Sequence, residues 1–433
     1  MFKPTWISLL CLPLLFAGNT AFSQSIDFKF DLGSGKVAKG YTGLTPKNIY
    51  SEEAGYGFEA ATPVTAVDRK GKDALTRDFV TSDKPFYFSV NVPEGNYKVT
   101  VTFGDRKGKT AATVKAESRR LMLENVQTNE GEFITKTFIV NIKDRNIDGT
   151  KQVRLKEREL AKLDWDNKLT LEFDLQPALN AIEITKVEDQ ITVFLAGNST
   201  VVNQNEEPWA SWGQMIPRFF KPGVAIANHA ESGLSLGSFI SSNRLEKVLN
   251  VMKPGDFVFV EFGHNDAKEK GEHAGPYKSY TQRLQIFAKE VKAKGGTLVI
   301  LTPTARRSFK NGQMTNSHGD FPDAAKKVAR EENVPLIDLT AYTTTMYETL
   351  GDEGSKTAFV IYPELGLNDN THFNTYGAYQ IAKIVAQGIK ENNLKLAEYL
   401  VEMPAFDPKK PDSFLNFYWP PSPLSSSIKP DGN

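Results

Sequence analysis

Two patterns of apolar and polar residues divide the chain. From Ile26 to about Lys186, apolar residues recur at every second position over short runs. Phe86-Tyr87-Phe88-Ser89-Val90-Asn91-Val92 alternates, Pro93-Glu94-Gly95-Asn96 interrupts, and Tyr97-Lys98-Val99-Thr100-Val101-Thr102-Phe103 alternates again. Thr137 to Ile142, Lys168 to Phe173 and Ala181 to Thr185 repeat the pattern. Period-two alternation between turn residues is the mark of strands with one buried face, and it predicts an antiparallel β-sandwich here.

At Val187-Glu188-Asp189-Gln190 the period changes. Runs apolar at nearly every residue now predict strands buried on both faces, at Ile191 to Ala196, Val224 to Ala227, Phe257 to Phe262, Thr297 to Leu301 and Leu336 to Leu339. Amphipathic stretches between them predict helices near Trp209 to Phe220, Phe239 to Met252, Tyr277 to Lys294 and Pro322 to Glu332, with a last helix after Asn374. Strand and helix in alternation predict an α/β, flavodoxin-like domain built on a parallel sheet. From Pro404 the chain is rich in Pro, Ser and Asp and reads as an extended tail lying across a domain surface.

The first residues follow another logic. Lys3, an apolar core from Trp6 to Ala17 and the small-x-small site Ala21-Phe22-Ser23 read as a cleaved secretory signal, hence a secreted or periplasmic protein. Lipidation at Cys11 is disfavoured by Leu10, which stands where such sites want a small residue. The expected organisation is a signal peptide over 1–23, an accessory sandwich over 24–187, a catalytic domain over 188–403 and a tail over 404–433. Cys11 is the only cysteine, so a mature chain without it has no disulfide, thiolate metal site or cysteine nucleophile. Acidic and basic residues balance at 52 each, which gives no basis for nucleic-acid binding, and no later apolar run is long enough for membrane insertion. Nucleotide-binding glycine motifs are absent.

Chemistry concentrates where the strands of the second half end. Ile191 to Ala196 stops at Gly197 and delivers Ser199; Val224 to Ala227 leads into Glu231-Ser232-Gly233; Phe257 to Phe262 leads into Gly263-His264-Asn265-Asp266; and Asp369 stands three residues ahead of His372. A serine hydroxyl needs a base, and a neutral imidazole at His372 is suited to take its proton. A carboxylate at Asp369 would hold that imidazole in one tautomer. Backbone N–H groups of Ser199 and Gly233 and the side-chain amide of Asn265 would serve a tetrahedral oxyanion. Each residue alone has a plainer role: Asp369 as a helix cap, Asn265 as a turn residue, Gly233 as a loop glycine. Their conjunction at successive strand ends carries the reading. The front half offers no comparable set, so a chain beginning near Val187 is expected to keep the whole site.

These blocks resemble those of the GDSL-type hydrolases called SGNH, and most of all the rhamnogalacturonan acetylesterases, whose bacterial members also carry a galactose-binding-like β-sandwich. Glu207-Pro208-Trp209-Ala210-Ser211-Trp212-Gly213 and Thr302-Pro303-Thr304-Ala305-Arg306-Arg307 add to the likeness. The resemblance implies Ser199 as nucleophile, Asp369 and His372 as its partners, an oxyanion hole of Ser199, Gly233 and Asn265, and no metal or cofactor. The partner it implies is an acetylated pectic polysaccharide. Asn198 departs from the family, which usually has Asp before the nucleophile. Arg306 and Arg307 are candidates to grip a uronate carboxylate, with pairing to nearby acids as the other reading. Trp209, Trp212, Tyr277 and Tyr280 are candidates for sugar stacking. An esterase for another acetylated glycan or a lipid, or a silent carbohydrate-binding protein, remains the alternative.

Overall fold

The computed structural model describes residues 26–60 and 63–431; the signal-peptide reading of residues 1–23 lies outside them. The alternating stretches form two sheets. One runs in the order Phe133–Ile142, Gly95–Gly104, Leu179–Val187, Asp27–Leu32, Thr42–Leu44, with Thr65–Asp68 and Asp78–Thr81 joined to it. The other runs Tyr56–Phe58, Phe86–Asn91, Lys168–Gln176, Thr110–Ala116, Arg120–Thr128. Val99, Val101 and Phe103 point into the space between the sheets and are fully buried, whereas Lys98 is exposed. Phe86 stacks on Phe173 at 5.2 Å, and Phe103 meets that ring edge-on at 6.4 Å.

The second half is a five-stranded parallel sheet. Its strands Ile191–Gly197, Val224–Asn228, Phe257–Glu261, Thr297–Leu301 and Leu336–Ile337 are arranged so that the second lies outside the first and the third to fifth follow on its other side. The order reverses beside Ile191–Gly197. Open α/β sheets leave a crevice at the carboxyl ends of the strands flanking such a point. Alternate side chains feed two cores: Val193 and Leu195 pack with the helix Thr375–Glu391, and Phe194 and Ala196 pack against Leu236–Ser241 and Thr281–Ala293.

Several elements differ from the sequence reading. The stretch Phe239 to Met252 is not one helix but parts of two, Leu236–Ser241 and Arg244–Val251, because Asn243 takes a left-handed conformation (φ 66°) between them. Trp209 to Phe220 gives only the short helix Trp212–Met215 and a 3₁₀ turn, Ile216–Phe219, that carries Pro217. The helix Leu339–Ser355 was not expected, since its run of threonines and its Gly351 (φ 73°) hide it from helix propensity. Asp369 and His372 lie on a hairpin strand, Leu367–Phe373, paired antiparallel with Phe359–Tyr362.

The two halves interlock through buried charge. Arg244 pairs with Glu159 at 2.6 Å with both side chains fully buried. Lys247 reaches Glu94 at 2.7 Å, and Lys162 reaches Glu231 at 2.7 Å. Arg119 donates to the carbonyl oxygens of Gln204 and Trp209 and pairs with Glu207. After the helical turn Lys395–Tyr399, the tail threads along this junction. Trp419 lies over Lys115 at 4.6 Å, Lys115 donates to Pro420 O and Ser422 Oγ at 2.8 Å, and Glu207 exchanges backbone hydrogen bonds with Leu424 and Ser426.

Candidate active site

Ser199 sits at the carboxyl end of the strand beside the reversal point. Gly197 permits the turn sterically, since a Cβ there would come within 2.4 Å of Val201 Cγ2. Asn198 shapes the turn: its Oδ1 accepts from Thr200 N at 3.0 Å and from Thr200 Oγ1 at 2.9 Å, and its carbonyl accepts from Val201 and Val202. This side-chain mimicry of a turn uses only the carbonyl of the amide, which an Asp would also provide.

The hairpin strand brings its two residues to Ser199. His372 Nδ1 lies 2.8 Å from Asp369 Oδ2, and His372 Nε2 lies 2.8 Å from Ser199 Oγ. With the Nδ1 proton turned to the carboxylate, Nε2 is left to accept from the serine hydroxyl. All three residues are buried. The other carboxylate oxygen of Asp369 accepts the backbone N–H groups of Thr371 (2.8 Å) and His372 (2.9 Å). Burial alone would raise this carboxyl, but the His372 ring and the backbone donors outweigh it and hold Asp369 well below the usual carboxylate range. Lys429, from the tail, adds a cation 3.2 Å from Asp369 Oδ2. Helix capping falls instead to Asn374, which accepts from Gly377 N. Trp209 closes one side, edge-on to the His372 ring at 5.7 Å.

Gly233 adopts φ +79°, a left-handed conformation that favours glycine, and a Cβ there would lie 2.9 Å from Lys156 Nζ. Asn265 donates one amide N–H to Leu234 O at 3.0 Å, which ties its side chain to the Gly233 loop. Asp266 fixes both loops by accepting Leu236 N and Gly263 N, and burial pushes its carboxyl up to about 7. Ser232 and Ser235 are the nearby serines. Ser235 caps the helix Leu236–Ser241 and donates to Glu269.

Arg307 takes the plainer of its two readings. It pairs with Asp352 and donates to Asn370 Oδ1 and Ser355 Oγ. Arg306 donates to His264 O at 3.2 Å and contacts His318 Nδ1, within electrostatic reach of Asp369. Trp212 and Tyr280 are core residues, bonded to Glu261 and Phe262 O, and are not available for stacking. Tyr277 is exposed.

Sequence reasoning missed a group of charges. Arg158 donates to Glu231 Oε1 (2.9 Å) and to Ser232 O (2.7 Å), and Lys156 donates to Ser232 O (2.7 Å). The run Lys156-Glu157-Arg158-Glu159 is dense in charge, but only the fold brings it 76 residues along the chain to the Gly233 loop.

Comparison with known proteins agrees with this architecture. Residues 195–379 match the GDSL-like lipase/acylhydrolase family, and residues 28–150 match the beta-agarase/YXIM esterase-like, galactose-binding domain-like family. Rhamnogalacturonan acetylesterase RhgT of Bacillus subtilis is 42% identical over 222 residues, 49% of this chain and 94% of that protein. The chain belongs to the GDSL-like lipase/acylhydrolase family. The uncharacterized esterase YxiM of Bacillus subtilis is 26% identical over 407 residues, 90% of this chain and 97% of that protein. The crystal structure of YxiM covers 86% of this chain and 99% of its own, with a TM-score of 0.46 and 25% identity. The protein is thus a GDSL-family esterase with a galactose-binding-like front domain, related to rhamnogalacturonan acetylesterases.

Proposed function

We propose that this GDSL-family chain is a secreted acetylesterase acting on pectic polysaccharide through an acyl-enzyme. The observation that carries the reading is the continuous hydrogen-bonded line from Asp369 through His372 to Ser199 Oγ at the switch point of a parallel sheet. Ser199 Oγ attacks the acetyl carbonyl while His372 takes its proton. The oxyanion is met by the N–H groups of Ser199 and Gly233 and the Asn265 amide. The imidazolium then protonates the departing sugar oxygen. Water then attacks the acyl carbon while His372 takes its proton; the bond to Ser199 Oγ breaks, acetate leaves, and the imidazolium returns the proton to Ser199 Oγ.

The pectic substrate is supported by RhgT, whose name gives rhamnogalacturonan as its substrate and which is 42% identical over 222 residues, 49% of this chain. Export is supported by the basic, apolar and small-residue pattern of residues 1–23. Acetate release from acetylated rhamnogalacturonan, xylan and chitin fragments tests the reading. Preference for the first is the expected result, and preference for either of the others would replace the substrate.

A further inference from the structure

A cavity of about 230 Å³ opens beside the Gly233 loop, and its walls come from three parts of the chain. The front half supplies Arg158 and Lys162, the catalytic half supplies Gln204, Trp209 and Ser232, and the tail supplies Asp431. Lys156 Nζ and Arg158 both donate to Ser232 O, which anchors two cations on the residue preceding Gly233. Both cations are also bonded to Asp431 Oδ2, Lys156 at 3.4 Å and Arg158 through Nη1. These contacts draw the Asp431 carboxyl below its ordinary range, chiefly through the hydrogen bond from Arg158. Against Lys156, Arg158 and Lys162 stand Glu231, shared by Arg158 and Lys162, and Glu206 on the cavity wall. Without Asp431 the group carries an excess positive charge.

A carboxylate is therefore the chemistry this place accepts, and the one that occupies it belongs to the protein's own tail. Asp431 is more than half exposed and Lys156 and Arg158 about a third exposed, so the pairing is open to solvent. The tail is fastened upstream, where Trp209 Nε1 donates to Ser426 O at 2.9 Å, so the segment from Ile428 can lift without unthreading the rest.

We infer that Lys156 and Arg158 form a carboxylate-binding subsite for a hexuronate residue of the substrate, and that Asp431 fills it as an internal competitor in the unliganded enzyme. This deepens the acetylesterase reading and rests on it for the substrate's identity. It gives the front half a direct part in recognising the acidic backbone, within reach of the oxyanion glycine. A uronate displaces Asp431 from the two cations, and Lys429 and Asp431 then move with the same short segment.

The test measures binding, not turnover. Calorimetry of the full-length protein with an unacetylated galacturonate trimer, and with the same trimer methyl-esterified, reads the subsite without involving Ser199. Asp431→Asn is expected to tighten binding of the acid about two- to fivefold, the scale of a half-exposed charge pair, and to leave the methyl ester unchanged. Lys156→Ala is expected to weaken the acid by a similar factor, with Lys156→Arg restoring it. Equal affinity for acid and methyl ester, or an acid affinity unmoved by Asp431→Asn, overturns the subsite. Either result leaves esterase activity toward a small neutral ester as a separate question. Should Lys156→Ala fold poorly, the Asp431 arm decides alone.

Discussion

Asp369 holds His372 twice, taking its backbone N–H at 2.9 Å on one carboxylate oxygen and its ring Nδ1 at 2.8 Å on the other. The first contact sets where the residue stands on the hairpin strand, and the second sets how its ring faces Ser199. Replacement by asparagine puts an amide N–H group at one of these positions, where an acceptor is required. Asp369→Asn is expected to lower kcat by about 10³- to 10⁴-fold, measured on p-nitrophenyl acetate. Stability follows a definite sign. The folded pKa of Asp369 lies below the unfolded value of about 3.9, so its contribution is present above that pH and lost as pH falls through the folded value. The stability gap between wild type and Asp369→Asn, read by denaturant titration, is expected to be widest near neutrality and to narrow below about pH 3.9.

Asn198 provides a second prediction, on the loop that carries the nucleophile. Its side-chain oxygen satisfies two buried donors of Thr200. Asn198→Ala leaves the Thr200 N–H without that acceptor, at a cost of about 1–3 kcal/mol, while the Thr200 hydroxyl turns to Glu261 Oε1 at 3.0 Å, and the loosened turn displaces Ser199 enough to lower kcat about 10- to 100-fold. Asn198→Asp keeps an oxygen in place and is expected to retain most of the activity. Steady-state kinetics of the two variants side by side check this.

A third prediction concerns His318, buried beneath Arg306 and edge-on to His264 at 4.4 Å. Burial, with the Arg306 charge, lowers its pKa to about 4. Below about pH 6.5 the unfolded chain takes up this proton before the folded one does, so stability falls as pH drops toward 4, by up to about 3 kcal/mol from this group. His318→Asn does not titrate in that window. The stability difference between wild type and variant is expected to move by that order between pH 7 and pH 4, and a difference constant with pH would refute the assignment.

The fourth prediction follows from the interlocked halves. Arg244 and Glu159 are fully buried and meet only because the two domains dock. Glu159→Ala strands a buried guanidinium and is expected to cost about 3–5 kcal/mol in thermal or denaturant unfolding. A chain starting near Val187 would strand Arg244, Lys247 and Glu231 together. The expectation that such a chain keeps a working site therefore gives way to poor folding, checked by its solubility and circular dichroism.

What the sequence made legible, and what it did not, follows from the range of the interactions. Val99, Val101 and Phe103 alternate because one sheet face is buried, and Phe257 to Glu261 is continuous because both are, so both architectures were readable from local pattern. Ser199, Gly233, Asn265, Asp369 and His372 stood out because strand ends and special residue types coincide. The helix Leu339–Ser355 was hidden because its threonines are poor helix formers held by packing, as with buried Thr343. Lys156, Arg158 and Asp431 were invisible because charged residues in a loop and a tail look like solvated surface until docking places them at Ser232. Arg307 looked like its neighbour Arg306, and only the fold separates them, turning Arg307 to Asp352, Asn370 and Ser355 and Arg306 to His264 and His318.

The most direct test is the initial rate of acetate release by wild type, Ser199→Ala and Ser232→Ala, on p-nitrophenyl acetate and on acetylated rhamnogalacturonan, with circular dichroism as a folding control. The account predicts that Ser199→Ala loses about 10⁴-fold or more in kcat on both substrates while remaining folded, and that Ser232→Ala keeps most of its rate. A folded Ser199→Ala protein with wild-type turnover would contradict it.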